Sequence, residues 1–378
     1  MNWKVPFADI RLGDEEKAAV LEVIESNWLT MGPKTKEFET AFADAMNVPS
    51  LEAVSLTNCT AALHLALQAL GLGPGDEVIV PSLTFVATVN AVRYTGAAPV
   101  LADIVSDDEW NIDPKDIESK ISPRTKAIVV MHYAGYPVRM DAVLEIAKRH
   151  KLFIVEDACH GPLSKWNGHP LGTIGDAGCF SFFSNKNMTT GEGGMLVTRD
   201  PKLAEKVRLL RSHGMTSNTY ARYKGHAFGY DVVDLGYNYR IDEMRAAMGI
   251  VQLRALHANN QRRGHLIGLY RKQLAAALPD VKVPFADWVG DYAYHIFPVL
   301  IPKIGPERGQ VMAGMSEAGV QTSIHYRPVH WLSAYKDMPG LPRIDAIAER
   351  ILTLPLYHTM SDEDVEYVVA SLAKVLKS

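Results

Sequence analysis

Ser181-Phe182-Phe183-Ser184-Asn185-Lys186-Asn187-Met188-Thr189-Thr190-Gly191-Glu192-Gly193-Gly194 joins two strand-like runs, residues 177–183 and 195–198. At its centre one lysine follows apolar and aromatic residues and precedes a glycine-rich turn. A lysine in a dry pocket loses the solvation that keeps it charged. Its pKa falls, and the neutral amine becomes a nucleophile for a carbonyl carbon. The competing reading is a solvated lysine in a turn, so the rest of the chain must supply the other parts of such a site.

Upstream, short apolar runs alternate with helical patterns. Strand-like 77–80 precedes helical 85–94, and 99–102 precedes a helix beginning near Pro114 with Asp113 as its cap. Strand-like 127–131 precedes helical 141–150, and 152–155 ends at Glu156-Asp157. This alternation predicts βαβ units and a parallel sheet buried on both faces. Ligands of such sheets sit beyond the carboxyl ends of the strands, where residues 81–85, 132–135 and 157–160 fall. Asp157 ends a buried strand. A cofactor with a basic ring nitrogen would keep it ionised, and it would keep that nitrogen protonated; capping of the next turn is the alternative. His160 either reaches the same ring or is a satisfied turn histidine.

The run 54–56 leads into Thr57-Asn58-Cys59-Thr60-Ala61-Ala62 and an apolar helix that Gly71 is placed to end. Polar caps and small residues at a helix start leave backbone N–H groups free for a phosphate, although simple N-capping needs no ligand. Gly71-x-Gly73-x-Gly75 follows a helix and precedes a strand, the reverse of a dinucleotide fingerprint, and is rejected as one. An amine, a ring acid and a phosphate cradle together suit pyridoxal 5'-phosphate, with Lys186 as its Schiff-base partner.

Residues 14–26, with Asp14 as N-cap, and 35–46 read as helices flanking a Gly-Pro break at 32–33. Residues 201–213 form a basic helix, and 217–229 are too long for an ordinary connection and read as a lid or interface loop. Helices over 242–256 and 260–278 follow. The division is placed between a large domain, 1–255, and a small α+β domain, 256–378. The latter has strands at 294–301 and 320–325 and helices at 307–318, 345–351 and 362–376. His325 and His330 lack the spacing and acidic neighbours of a metal site, and none is expected.

The chain has 378 residues, is 47% hydrophobic and carries a formal net charge of −4 without blocks of like charge. That balance argues against nucleic acid and membrane as partners. The three cysteines, Cys59, Cys159 and Cys179, suggest no disulfide framework. Met1–Phe7 lacks a signal-peptide pattern, and no apolar run reaches membrane length, so a cytoplasmic location is expected.

Six stretches in order resemble the DegT/DnrJ/EryC1/StrS aminotransferases. They are Asn27-Trp28-Leu29-Thr30-Met31-Gly32-Pro33, residues 57–62, Pro81-x-x-Thr84-Phe85-Val86-Ala87-Thr88, Glu156-Asp157-Ala158-Cys159-His160, the lysine stretch, and Gly236-Tyr237-Asn238-Tyr239-Arg240. The resemblance covers nearly the whole chain. It implies the fold-type I architecture of pyridoxal phosphate-dependent transferases: a large α/β domain with a mostly parallel seven-stranded sheet and a small C-terminal α+β domain. It also implies a homodimer with shared active sites.

By position, Lys186 resembles the Schiff-base lysine and Asp157 the acid paired with the pyridine nitrogen. Thr60, Ala61 and Ser181 match the phosphate site, Phe85 the stacking residue, and Asn238 a phosphate contact from the neighbouring subunit. His160 stands where many members carry glutamine, and Ser184-Asn185 departs from the commoner proline-containing pair. Related sugar dehydratases have histidine in place of the lysine, so Lys186 implies transamination.

The implied reaction moves an amino group from L-glutamate to a nucleotide-linked keto sugar. His325-Tyr326-Arg327-Pro328-Val329-His330 looks more like members acting at C4 of an NDP-4-keto-hexose. A C3-keto sugar, a keto-cyclitol, or a cofactor-binding regulator without turnover remain alternatives. Trp28, Thr30, Met31, Arg240, His325, Tyr326 and Arg327 are candidates for substrate binding.

Overall fold

The computed structural model describes residues 3–216 and 229–377. The apolar runs form β1 (Glu52–Leu56), β2 (Glu77–Pro81), β3 (Ala98–Ala102), β4 (Thr125–Met131) and β5 (Phe153–Asp157). A short hairpin of β6 (Lys165–Trp166) and β7 (His169–Pro170) follows, then β8 (Ala177–Ser181) and β9 (Gly194–Thr198). Seven of these make one sheet in the order β1-β9-β8-β5-β4-β2-β3. Neighbours are parallel except at β9, which runs against both β8 and β1. A parallel neighbour needs a crossover helix, whereas an antiparallel one is reached by a loop. The loop 182–193 is such a connection, and it carries Lys186 past the carboxyl end of β8.

Side chains alternate across the sheet as the pleat requires. Val78, Val80, Val129 and Val155 face the core shared with α3 (Cys59–Ala69) and α4 (Ala87–Tyr94). Ile79, Ile128, Val130 and Ile154 face the opposite layer, with α5 (Pro114–Ser119) and α6 (Met140–His150). Near β8 and β9 that second face is covered by α2 (Pro33–Met46) and the start of α8 (Glu243–Ala277). The sheet is thus buried on both sides, as near-continuous apolar strands demand. Helices α1 (Asp14–Glu25) and α7 (Pro201–Leu210) complete this part. The α1 cap is Gly13, whose N–H donates to Glu16; Asp14 is the first helical residue rather than the cap.

The two helices expected over 242–256 and 260–278 are one, α8, 35 residues long. Asn260, which weakens the helical pattern in sequence, is held inside the helix by buried side-chain hydrogen bonds. The expected division between residues 255 and 256 falls within this helix. Its first half, with Ala246, Ile250, Leu253 and Leu256, packs against β8 and β9. Its second half, with Leu266, Ile267, Tyr270 and Leu274, packs in a separate core. That core also holds β10 (Phe297–Leu300), α9 (Arg308–Glu317), β11 (Ile351–Leu354) and α11 (Asp362–Lys377). Val5 joins this core and bridges to Val320, so the N-terminal residues dock on the C-terminal unit.

Two expectations there are corrected. Residues 320–325 make isolated bridges at Val320 and Ser323 rather than a strand. The helix expected over 345–351 divides into α10 (Pro342–Asp345), a 3-10 turn at Ala348–Arg350 and the start of β11. Ile351-Leu352-Thr353-Leu354 is fully buried and takes the ladder with β10. A short apolar run of this kind has no period that separates strand from helix.

Candidate active site

The carboxyl ends of β5 and β8, the segment from Phe85 into α4, the loop before β9 and the N-terminus of α3 surround a cavity of about 430 Å³. Thr60, Phe85, Asp157, Ser181, Lys186, His325 and Tyr326 line it, with Asn58, Thr88 and His295. Sequence reading thus assembles most of one site from six separate elements.

Asp157 is the last residue of β5 and only 3% exposed. Its Oδ2 accepts from Thr88 Oγ1 at 2.7 Å, and its Oδ1 from the Cys159 N–H at 3.3 Å. Thr88 spends its proton on the carboxylate, so Thr84, 2.7 Å away, donates to Thr88. This chain of hydroxyls holds the carboxylate toward the cavity and leaves lone pairs for a ring N–H.

At the start of α3, Asn58 Oδ1 accepts from the Ala61 N–H at 2.8 Å. The N–H groups of Cys59 and Thr60 belong to the first turn and have no intrahelical acceptor. Both residues line the cavity. Ala61, expected beside Thr60, is buried with its N–H committed to the cap. Ser181 closes the same corner from the end of β8. Gly194 lets β9 press against this helix start: a Cβ there would lie 2.4 Å from the carbonyl carbon of Asn58.

Lys186 is anchored by its N–H to Phe183 C=O at 2.9 Å, and Gly191, at φ +78°, turns the chain back toward β9. Lys186 Nζ lies 3.4 Å from His295 Nε2. Phe85 is 56% exposed over the cavity, its ring 6.0 Å from that of Tyr326.

Three histidines crowd behind the lysine. His160 Nδ1 accepts from the Ala134 N–H at 3.2 Å, so the ring proton is on Nε2 and donates to Tyr326 Oη at 2.9 Å. The Tyr326 hydroxyl proton is left for the cavity. His160 therefore stands one layer behind, reaching the site through Tyr326. His325 stacks on Phe7 at 5.4 Å, lies 3.2 Å from Thr353 Oγ1, and accepts at its C=O from Tyr133 Oη. Burial, and then the Lys186 charge, push His160 and His295 well below the ordinary histidine value and His325 down to about 3. Burial likewise pushes Tyr326 and the Cys59 and Cys159 thiols upward.

The other expected residues are not at this cavity within the single chain. Asn238 is exposed and bridges to Ser212, while Arg240, half-buried, has its basicity lowered by burial and by Arg211. Met31 lines a separate open groove of about 800 Å³ with Arg208 and Arg211. Trp28 packs against Gly32, Thr30 is exposed, and Arg327 is exposed beyond Tyr326. Of the expected lid, residues 217–228 lie outside the described residues. His295 and Thr88 were not foreseen as site residues; Thr88 closes the 81–88 stretch that carries the resemblance, whereas His295 has no local signal, since its role arises from segments far apart in sequence.

The donor set fits pyridoxal phosphate. An amine for the aldehyde, a buried carboxylate for the ring nitrogen, free helix-start amides with two hydroxyls for the phosphate, and an exposed aromatic face share one cavity. Among the described residues no cluster of His, Cys, Asp or Glu is placed to hold a metal, and no helix is long and apolar enough to cross a membrane.

Comparison with known proteins agrees with this geometry. The family model of the DegT/DnrJ/EryC1/StrS aminotransferase family matches residues 11–373. The spore coat polysaccharide biosynthesis protein SpsC of Bacillus subtilis (strain 168) is 39% identical over 385 residues, covering 100% of this chain and 98% of that protein. A Streptococcus pneumoniae protein solved in its PMP form superposes with a TM-score of 0.91 at 29% identity, covering 99% of both chains; its PLP form gives 0.90. Helicobacter pylori PseC, an aminotransferase involved in the biosynthesis of pseudoaminic acid, superposes with a TM-score of 0.90 at 28% identity, covering 99% of both chains.

Proposed function

Because this chain belongs to the DegT/DnrJ/EryC1/StrS aminotransferase family, we propose that it transfers the amino group of L-glutamate to C4 of a nucleotide-linked 4-keto-hexose. The enzyme is a transaminase and its cofactor is pyridoxal 5'-phosphate. One observation carries the reading: Lys186, Asp157 and the first turn of α3 open onto a single cavity. The sugar class is supported by the names of relatives, a polysaccharide biosynthesis protein and an aminotransferase of pseudoaminic acid biosynthesis.

When bound, the cofactor supplies an aldehyde that carries the amino group and a protonated ring that takes up electrons from the donor's α-carbon. Lys186 would hold the cofactor through Nζ, and its amine, once free, would serve as the base that moves the donor's α-proton. Asp157 would pair its charge with the ring N–H, Thr60, Ser181 and the α3 amides would bind the phosphate, and Phe85 would offer a stacking face. With the keto sugar as acceptor, the Lys186 amine would move a proton in the opposite direction. Asn238 and Arg240 would join the site from a second subunit, with which the exposed Val232, Val233 and Leu235 would pack.

The test is direct. Purified protein should be yellow, borohydride should fix the cofactor to Lys186, and glutamate with an NDP-4-keto-hexose should give a product whose amine NMR places at C4. Amination at C3, or of a keto-cyclitol only, would replace the acceptor assignment. A Lys186→Ala protein that still aminates would end the mechanism.

A further inference from the structure

The hydrogen-bond chain behind Lys186 has only one consistent set of protons. Ala293 C=O can only accept, so the Asn187 side-chain N–H₂, 2.6 Å from it, must face it. The same amide group donates to Asn260 Oδ1 at 2.8 Å, and Asn260 Nδ2 in turn donates to Pro162 C=O at 3.0 Å. Asn187 Oδ1 is thereby turned toward His295 Nδ1, 3.0 Å away, and can only accept. The ring proton of His295 is fixed on Nδ1, and Nε2 is left bare. That bare nitrogen is the atom 3.4 Å from Lys186 Nζ.

We propose that His295 is a positioning residue for Lys186: its bare Nε2, oriented by Asn187, accepts a hydrogen bond from the lysine amine whenever that amine is released. The inference rests on Lys186 being the reacting lysine. The charged and titratable groups around the His295 ring are Lys186, His160, Arg263 and His325. His160 packs with its ring centre 4.3 Å away and is itself neutral, its Nδ1 taken by a backbone N–H. Arg263 donates to the His295 and Leu356 carbonyls, so a fixed positive charge lies on the far side of the residue. A second proton on His295 would face Lys186 and Arg263 together. The ring therefore works as an acceptor and not as a proton store, and its other face is locked to α8 through Asn187 and Asn260.

The experiment compares wild type with His295→Leu, which has no acceptor, His295→Asn, which keeps a donor for Asn187 but cannot reach Nζ, and His295→Gln, whose amide oxygen replaces Nε2. The first readout is competitive acylation of the full-length cofactor-free protein, scoring Lys186 against the exposed Lys202 by peptide mass spectrometry across pH. An acceptor favours the unreactive ammonium, so Leu and Asn raise Lys186 labelling at neutral pH by about tenfold, and Gln returns it to within about threefold of wild type. The second is the donor half-reaction of the loaded enzyme with α-deuterated glutamate. Leu and Asn should slow it by about tenfold or more and enlarge its isotope effect, because proton transfer by a misplaced amine becomes limiting. If Leu folds poorly, Asn carries the comparison. Wild-type labelling and isotope effects in both Leu and Asn, or a Gln variant no nearer wild type than Leu, would overturn the proposal. Borohydride trapping on Lys186 in wild type keeps these outcomes separate from the lysine assignment. Trapping on another lysine would sink both together.

Discussion

His160, His295 and His325 are buried close to Lys186, and burial holds each in its neutral form. In the unfolded chain they titrate near about 6.5. Below that pH the unfolded state takes up protons that the folded state refuses, His325 until about pH 3. Stability from these groups is therefore complete above the unfolded value and is lost as pH falls beneath it. Each contributes a slope of up to about 1.4 kcal/mol per pH unit. The thermal midpoint should stay level from about pH 8 to 7 and drop steeply between about pH 6.5 and 5. His325→Gln should make that drop shallower. A midpoint as high at pH 5 as at pH 7.5 would show that these rings are not held neutral.

At the scale of elements, the site depends on how closely β9 meets the start of α3. A methyl group at Gly194 would lie 2.4 Å from the Asn58 carbonyl carbon and 2.6 Å from the Cys59 nitrogen, both backbone atoms that cannot rotate away. Gly194→Ala should push the first turn of α3 outward. The expected cost is about 1–3 kcal/mol in unfolding free energy, with weaker binding of the cofactor phosphate. Urea titration and equilibrium dialysis measure the two effects, and unchanged values in both would show that the contact is not tight. This element pair also shows what was legible in sequence. The helix start at 57–62 and the strand end at Asp157 are local patterns, with caps and apolar runs that can be read without knowing the fold. The approach of Gly194 to Asn58 is not, because glycine in the turn reads the same whether or not a helix lies beside it. The same limit explains β11, whose four apolar residues carry no period, and α8, where buried hydrogen bonds to Asn260 override a weak helical stretch. His295 became a site residue only through contacts from segments more than a hundred positions away.

At the scale of the whole molecule, the proposed shared site calls for a second chain. Phe85 is 56% exposed, Val233 57% and Leu235 75%, a display of large apolar side chains that is unusual without a covering partner. Asn238 and Arg240, matched to the active site by sequence, lie outside the cavity of their own chain. Both facts are accounted for if two chains exchange residues across a two-fold axis. That arrangement can be tested by complementation. Lys186→Ala protein lacks the amine, and Asn238→Ala protein lacks the contact given to the neighbour. Mixed and allowed to exchange, half of the dimers are heterodimers, and each has one site with both residues intact and one with neither. Activity should rise from near zero in the Lys186→Ala protein, and from the residual level of the Asn238→Ala protein, toward about a quarter of the wild-type value. Each parent incubated alone is the control. If Asn238 served the cavity of its own chain, every site in the mixture would lack one residue. The mixture would then show no more than the average of its parents, and the shared site would have to be abandoned.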